Sequence, residues 1–274
     1  MDKEFDQHYN DELHTENADP EEILDDVAYY RTIAANVYML GHPDSDTWVL
    51  VDTAVGHYST RIIAAVEKRF GDKKPSAIIL THGHFDHVGS ANDLAKHWNI
   101  PIYIHEKEID YVTEKAQYQP ADPTMGGGLM SIFSILFPKK PVNLKEWVQP
   151  LPSNGEIPLL KDWRYIETPG HSPGHIVLYR EKDGVLITGD AILTEKPQST
   201  ISTFIPIKNV YGPPAYFTED WDAARNSVKK IAALKPNYLL TGHGLPMEGP
   251  EIQEQLDHLA SNFDNLVLPD HKKN

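Results

Sequence analysis

The sequence of residues 78–89, IILTHGHFDHVG, places three histidines and one aspartate within six consecutive positions. The apolar run at residues 77–80 leads into them and predicts a buried strand that ends in a loop of polar side chains. Imidazole and carboxylate groups are ligands that zinc and related divalent metals take. A chance cluster among the 14 histidines of the chain is the alternative, but four potential ligands directly after a buried strand favour a metal site. The four residues are His82, His84, Asp86 and His87.

The alternation of side chains along an extended segment predicts that this loop serves two ions. Residues i and i+2 of such a segment face the same way, so His82 and His84 can bind one ion. Asp86 and His87 follow after the chain turns, and they can face a second ion.

Three further predicted strands also lead into a histidine or an aspartate. Because α/β folds build sites at strand ends along one edge of a sheet, these side chains are expected to converge with the first four. They are His171, Asp190 and His243. Apolar patterning predicts strands at residues 27–33, 36–40, 47–52, 77–80, 101–105, 163–168, 175–180, 185–188 and 238–240, and helices at 59–70, 90–98, 218–234 and 251–267.

These motifs resemble those of the metallo-β-lactamase superfamily, whose H-x-H-x-D-H signature matches residues 82–87. The resemblance extends over about residues 27–268. It implies an α/β fold, an αββα sandwich of two mixed β-sheets flanked by helices, with the site at one edge. The implied ligands are His82, His84 and His171 for a first metal ion, Asp86, His87 and His243 for a second, and Asp190 as a bridge between them.

The chemistry that follows from such a site is hydrolysis by a hydroxide that bridges two divalent metal ions. Zinc is the expected metal, and manganese or iron(II) also fits a ligand set of nitrogen and oxygen. The ions lower the pKa of the shared water to about 7 and polarise a substrate carbonyl. Asp86 and Asp190 are the expected catalytic carboxylates, which orient the nucleophile and carry its proton. His175 is expected to support the site rather than bind metal, and Asp52 either to brace the ligand loop or to cap a turn.

A single domain at residues 26–268 is expected, between an acidic N-terminal arm at 1–25 and a tail at 269–274. An insertion at 116–150 interrupts the alternating pattern with five prolines and three consecutive glycines. It contains the apolar run LMSIFSILF at 129–137. The flanking glycines and prolines favour a lid over the site or a homodimer contact, and the alternative is a segment that packs within its own domain.

Charge and composition limit the class of partner. A formal net charge of −15 disfavours nucleic acid and anionic membrane surfaces. No run of 18 apolar residues is present, so no membrane span is expected, and the acidic N-terminus does not resemble a signal peptide. The chain has no cysteine, which excludes thiolate ligands and favours the cytoplasm. The expected partner is therefore a small-molecule substrate.

The substrate is expected to carry an apolar portion beside the bond that is cleaved. Segments 129–137 and 199–217 are apolar and aromatic, and together they predict a hydrophobic pocket. The candidate residues of this pocket are Phe133, Phe137, Phe204, Tyr211 and Tyr216.

Two branches of the superfamily, the glyoxalase II enzymes and the lactonases, resemble this chain most in their motifs. Glyoxalase II enzymes carry a long helical C-terminal domain that binds glutathione, whereas the chain here ends at residue 274, soon after His243. Lactonases place a tyrosine shortly after the bridging aspartate. Residues 191–194 contain none, which leaves Tyr211 or Tyr216 for that role. The expected substrate is a small ester, lactone or thioester.

Two other activities remain open at the level of sequence. A β-lactamase-type amide hydrolase shares these motifs, and so does a persulfide dioxygenase-like oxidoreductase with a single iron. A nuclease is disfavoured by the net charge of −15, and a binding protein without activity is disfavoured by the presence of all seven ligands.

Overall fold

A computed structural model describes residues 19–119, 142–195, 209–269 and 273. Within these ranges the chain forms two β-sheets and the helices that flank them. Several predicted features fall outside the described residues. They are the arm before residue 19, the apolar run 129–137, most of the tail, and the candidate pocket residues Phe133, Phe137 and Phe204.

The first sheet contains seven strands, which lie side by side in the order of the sequence. Neighbours from the first strand to the fourth pair antiparallel, and neighbours from the fourth to the seventh pair parallel. Parallel neighbours require crossover connections, and these place helices over the sheet. The strands are β1 (Glu21–Leu24), β2 (Val27–Arg31), β3 (Asn36–Leu40), β4 (Val49–Val51), β5 (Ala77–Ile79), β6 (Ile102–Ile104) and β7 (Val148–Pro150).

The second sheet contains five strands, and it is also mixed. They are β8 (Arg164–Glu167), β9 (Ile176–Arg180), β10 (Val185–Ile187), β11 (Tyr238–Leu240) and β12 (Met247–Glu248). Their order across the sheet is β12-β11-β10-β9-β8. β10 and β11 pair parallel, and the other neighbours pair antiparallel.

Helices follow strands in both halves of the chain, and the longer ones pack on the outer faces of the sheets. Those of the first half are α1 (Ser59–Phe70), α2 (Phe85–Val88), α3 (Ala91–Trp98), a 3₁₀ turn (Glu106–Glu108) and α4 (Ile109–Val112). Those of the second half are a 3₁₀ turn (Ala215–Phe217), α5 (Trp221–Ala233), α6 (Glu251–Ser261) and α7 (Phe263–Leu266). Among the described residues, no helix has the length and apolar character needed to cross a membrane.

The two sheets pack face to face because their strands are apolar on both sides. Ala77 and Ile79 of β5 belong to a buried cluster with Leu178 of β9, between the sheets. Ile78 and Leu80 point the other way, into a cluster with residues of α1 and α3. A third cluster lies between the second sheet and helices α5 and α6. The predicted αββα sandwich of two mixed sheets is confirmed.

Three segments differ from the prediction by more than a few residues at their ends. The segment Glu21–Leu24, predicted to lie in the loose arm, forms the edge strand β1. Arg69 of α1 holds this strand by donating two hydrogen bonds, of 2.7 and 2.9 Å, to the carboxylate of Glu22. Val148–Pro150, predicted to lie in the insertion, pairs with β6 and completes the first sheet. The single helix predicted at 251–267 is two helices, because Asn262 has non-helical backbone angles.

Candidate metal centre

All seven predicted ligands lie just beyond the carboxyl ends of four strands. The loop after β5 and the short helix α2 carry four of them. The loops after β8, β10 and β11 carry one each. In chain order they are His82, His84, Asp86, His87, His171, Asp190 and His243.

These side chains come together in three sets, and within each set the potential ligand atoms all lie within 4.8 Å of one another. The first group is His82, His84 and His171. The second group is Asp86, His87 and His243. The third set is His82, His87 and Asp190. It contains one histidine of each group, so Asp190 lies where the two groups meet.

Asp190 lies between the two groups, with one carboxylate oxygen on each side. Its Oδ2 atom is 3.4 Å from Nε2 of His171 in the first group. Its Oδ1 atom is 3.2 Å from Nε2 of His87 and 3.3 Å from Nε2 of His243 in the second group. Its side chain therefore contacts both groups, and its role as a bridge between two metal ions stays a prediction.

The distances between ligand atoms match those around a tetrahedral ion. Ligand atoms about 2.0–2.1 Å from such an ion lie about 3.3–3.4 Å apart. Nε2 of His243 and Oδ2 of Asp86 are 3.5 Å apart, close to that value, as are the three distances to Asp190. Nδ1 of His84 and Nε2 of His171 are closer, at 2.8 Å, which is a hydrogen-bond distance. The other four of these five distances fit ligands of a bound metal ion directly.

Buried polar atoms without a hydrogen-bond partner concentrate at this centre. An unpartnered buried polar atom costs about 1–3 kcal/mol, so a cluster of them indicates a missing ligand. His87 and Asp190 lie 3.2 Å apart and yet are not aligned for a hydrogen bond. A divalent metal ion on each group would satisfy such atoms. Among the described residues, the atoms that a metal ion would satisfy are Nε2 of His82, Nε2 of His87 and Oδ1 of Asp190. Nδ1 of His171 is also unpartnered, but the nitrogen of that ring that faces the other ligands is Nε2.

The histidines of the first group are held in the neutral form that a metal requires. Burial lowers the pKa of His82 and of His171 well below the ordinary value. Burial also lowers the pKa of His84, to about 3. The nearby histidines add to the effect on His82, because a second positive charge would repel the first.

The second group shows the opposite electrostatics. Burial lowers the pKa of His243, but the carboxylates of Asp190 and Asp86 outweigh it and raise that pKa to about 9. Burial likewise opposes protonation of His87, and Asp190 and Asp52 raise its pKa well above the ordinary value. Burial raises the pKa of Asp190, whereas His243 and His87 lower it, and the net pKa lies well below the ordinary value. Without metal, protons on His87 and His243 thus supply the positive charge that bound cations would supply.

Two buried residues hydrogen-bond to the ligands or to their loop without belonging to a ligand group. Oδ2 of Asp52 accepts from the hydroxyl of Thr81 and lies 2.8 Å from Nδ1 of His87, and its Oδ1 accepts from the backbone N–H of Thr81. Of the two roles predicted for Asp52, the bracing role is confirmed. His175 accepts from the backbone N–H of Asp190 at 3.0 Å and does not belong to a ligand group, as predicted.

Gly242 lies where the backbone passes close to His87 and Asp190. A Cβ atom at this position would lie 2.9 Å from the ring of His87 and 3.0 Å from the carbonyl oxygen of Gly189, and it would also overlap Asp190. Any side chain here would push the bridging carboxylate away from the second group. The T-G-H motif predicts this close approach, because a glycine directly before a ligand fits a position where the backbone must come close or turn sharply.

Two residues of the site were missed from sequence. Glu108 is completely buried, and its carboxylate bonds to the backbone of Gly83, between the two first histidine ligands. Tyr118 donates to Glu108, and its ring lies 4.4 Å from the ring of His84, centroid to centroid. Glu108 lies in the run HEKE after β6, a pattern that is typical of a charged surface turn.

The candidate pocket tyrosines lie in different places. Tyr216 lies close enough to Asp86 and Asp190 for their charges to raise its pKa, after burial as the main cause. Its neighbour Phe217 lies 5.1 Å from the ring of His84. Tyr211 instead lines a cavity formed with residues of α6, and the described lining of that cavity includes none of the seven predicted ligands.

Comparison with known proteins gives consistent matches over most of the chain. The family model described as the metallo-beta-lactamase superfamily matches residues 30–243. The "Probable metallo-hydrolase YflN" of Bacillus subtilis (strain 168) is 42% identical over 234 residues, which cover 85% of this chain and 89% of that protein. The "Hydroxyacylglutathione hydrolase GloC" of Haemophilus influenzae is 28% identical over 158 residues, which cover 55% of this chain and 67% of that protein.

Solved structures share the fold. The crystal structure of the BLEG-1 B3 metallo-beta-lactamase superposes with a TM-score of 0.58 at 25% sequence identity. The superposition covers 82% of this chain and 92% of that one.

Proposed function

This chain belongs to the metallo-β-lactamase superfamily, and from that premise we propose that it is a metallo-hydrolase that cleaves a small ester, lactone or thioester with an apolar portion. The position of Asp190 is the single observation that carries the proposal. Its two oxygens face two separate groups of potential ligands, at 3.2–3.4 Å from their nitrogens. A site for one ion would need only one of these groups.

The side chains divide into two sets of ligands. His82, His84 and His171 would hold the first ion, and Asp86, His87 and His243 the second, with Asp190 shared. Two divalent ions, with zinc first and manganese or iron(II) as alternatives, supply Lewis acidity and a water that ionises near neutral pH.

Asp86 is the carboxylate placed to handle a proton during the reaction. Its side chain is 14% exposed, whereas that of Asp190 is 3% exposed. The nearby histidines keep Asp190 ionised against the effect of burial, so it serves as a fixed ligand. Asp86 has one oxygen 3.5 Å from His243, and its partial exposure leaves it accessible to a water and a leaving group.

Aromatic side chains form one wall of the site and support an apolar substrate portion. Phe217 lies 5.1 Å from His84 and 6.3 Å from Phe85, and Tyr118 covers His84 from another side. Burial and the charge of Asp86 raise the pKa of Tyr216, so its phenol keeps its proton at neutral pH. A protonated phenol beside the ligands is a donor for the carbonyl oxygen of a substrate.

The names of two relatives favour different bonds. The GloC name describes hydrolysis of a thioester, which is within the proposed class. The BLEG-1 structure is that of a B3 metallo-beta-lactamase, which makes an amide hydrolase the second candidate. A single-iron oxidoreductase is less well supported, because Asp86, His87 and His243 form a second group of ligands.

The experiment that tests the proposal is an activity panel on purified protein with metal content measured in the same sample. The panel contains acyl lactones, aryl esters, thioesters and the β-lactam nitrocefin, each with and without a chelator. We expect chelator-sensitive turnover of at least one ester, lactone or thioester. In His84→Ala we expect kcat/KM to fall at least about 100-fold, which is more than the loss usually caused by substituting a residue that only hydrogen-bonds to a metal ligand. His97→Ala, an exposed histidine of α3, is the control and keeps full activity. Nitrocefin turnover alone would establish the second candidate instead, and activity that persists in His84→Ala would overturn both.

A further inference from the structure

Glu108 is a completely buried carboxylate at the end of the 3₁₀ turn after β6. The two residues before it, Glu106 and Lys107, are exposed to solvent. A buried charge is unfavourable unless hydrogen bonds replace its hydration. The partners of Glu108 therefore indicate why the chain places a charge here.

Four donors surround this carboxylate, two on each oxygen. Oε1 accepts from the hydroxyl of Ser172 at 2.9 Å and from the backbone N–H of Gly174 at 2.6 Å. Oε2 accepts from the backbone N–H of Gly83 at 2.9 Å and from the hydroxyl of Tyr118. All four partners donate, and an ionised carboxylate is the side chain that can accept them all.

The two oxygens bind two different ligand loops. Gly83 lies between His82 and His84, and Ser172 directly follows His171. Oε2 thus holds the loop after β5, and Oε1 holds the loop after β8. These loops carry the whole first group of ligands.

We propose that Glu108 is a positioning residue that joins the two loops and sets the separation of His84 and His171 at the first metal site. This inference rests on the metal centre of the proposed function. Glu108 does not belong to a ligand group, and it acts through the loops that it holds. Tyr118, which donates to Glu108 and packs at 4.4 Å against His84, completes the support on one side.

Both loops approach Glu108 at a glycine, which is independent support for the proposal. A Cβ atom on Gly174 would lie 2.8 Å from Cγ of Glu108 and 3.0 Å from its Oε1. A Cβ atom on Gly83 would lie 3.2 Å from Oε2. The backbone at Gly174 therefore packs directly on the carboxylate, and a side chain at Gly83 would overlap the hydroxyl of Tyr118 and approach Cγ1 of Val112 to 2.9 Å as well as Oε2.

Glu108→Gln tests this role most directly, because it keeps the size and shape of the side chain and replaces one of its two acceptor oxygens with an NH₂ group. A glutamine amide presents one oxygen and one NH₂ group, and the NH₂ group meets donors on whichever side it faces. One loop must therefore lose the bond from its backbone N–H, because Gly83 and Gly174 can only donate there, whereas the hydroxyls of Ser172 and Tyr118 can also accept. Glu106→Gln makes the same chemical change at an exposed position of the same turn and is the matched control.

The test is Co²⁺ titration of the metal-free full chain, followed by its visible absorption and by competition with a chromophoric chelator. His243→Ala, which lacks a ligand of the second group, identifies the binding step and the spectrum that belong to the first group. In Glu108→Gln we expect first-site affinity about 10- to 100-fold weaker, as for other residues that orient metal ligands, and an altered first-site spectrum. Glu106→Gln keeps the wild-type values.

Wild-type affinity and spectrum at the first site of a folded Glu108→Gln protein would overturn the inference and leave the proposed function intact. A wild-type chain that takes up no Co²⁺ would overturn both. If thermal unfolding shows that Glu108→Gln is not folded, Ser172→Ala decides the question, because it removes a single bond to Oε1. First-site affinity about threefold weaker or more in Ser172→Ala supports the inference, and an unchanged affinity overturns it.

Discussion

Nε2 of His243 lies 3.3 Å from Oδ1 of Asp190, although the two residues follow different strands of the second sheet. The other oxygen of Asp190 lies 3.4 Å from His171, which belongs to the first group of ligands. Asp190 is therefore the residue through which the two halves of the centre meet. Its removal should affect both halves at once.

The first prediction is that Asp190→Asn binds at most one divalent ion per chain. An asparagine keeps one oxygen and turns an NH₂ group toward the ligands on the other side, where a metal ion cannot bind it. We expect hydrolysis to fall at least about 100-fold, more than for residues behind the ligands. Metal analysis and kcat/KM measure the two effects. Asp93→Asn, an exposed position on α3, is the control, and two ions bound to Asp190→Asn would contradict the bridging role.

The second prediction concerns Asp52, which orients His87. Asp52 has a φ of 58°, a conformation that asparagine also tolerates, so Asp52→Asn changes the bonding without backbone strain. The amide keeps only one of the two oxygens, so its NH₂ group meets either the backbone N–H of Thr81 or Nδ1 of His87, and one buried donor stays unpaired. We expect about 10- to 100-fold weaker binding at the second metal site and a free energy of unfolding lower by about 1–3 kcal/mol. Chelator competition and chemical denaturation check these values, and wild-type metal binding would show that the brace is dispensable.

The third prediction is that the two sites differ in the pH dependence of metal binding. His243 has a pKa of about 9 in the metal-free protein, so below that pH a metal must displace its proton. Affinity at the second site should therefore rise with pH, by about tenfold or more per unit between about pH 6 and 8. At the first site, burial lowers the pKa of His84 to about 3, so binding there releases no proton in this range. Calorimetry in buffers of different ionisation enthalpy counts the protons, and equal pH dependence at both sites would refute the prediction.

The fourth prediction separates the two candidate tyrosines. Tyr216 lies near Asp86 and Asp190, whereas Tyr211 lines the cavity beside α6. If Tyr216 donates to the substrate carbonyl in the transition state, Tyr216→Phe lowers kcat by about 100-fold with little change in KM. Tyr211→Phe makes the same chemical change in the cavity beside α6 and should leave both constants unchanged. The reverse pattern would assign the role to Tyr211.

The arrangement of the site was largely predictable because ligands and strands obey simple rules. The alternation of side chains separates His82 and His84 from the two ligands after the turn, and strand ends bring in His171, Asp190 and His243. The structure brings these seven side chains together. Their role as ligands stays a prediction until metal is measured.

Sequence patterns could not predict the contacts between distant segments. Glu108 accepts from Gly83 and Gly174, which lie 25 and 66 positions away, and both donors are backbone groups that no side-chain pattern reveals. Edge strand β1 was missed for a similar reason, since the acidic Glu22 is satisfied by Arg69 of a distant helix. Apolar periodicity predicts which face of an element is buried, but it does not predict the partner of a buried charge.

The most direct test of the central claim is metal titration of the metal-free protein with hydrolysis measured at each point. The two ligand groups predict two divalent ions per chain, with full turnover only after the second ion has bound. The same titration of His243→Ala should stop at one ion. Full activity of the wild-type chain with a single ion bound would contradict the two-metal account.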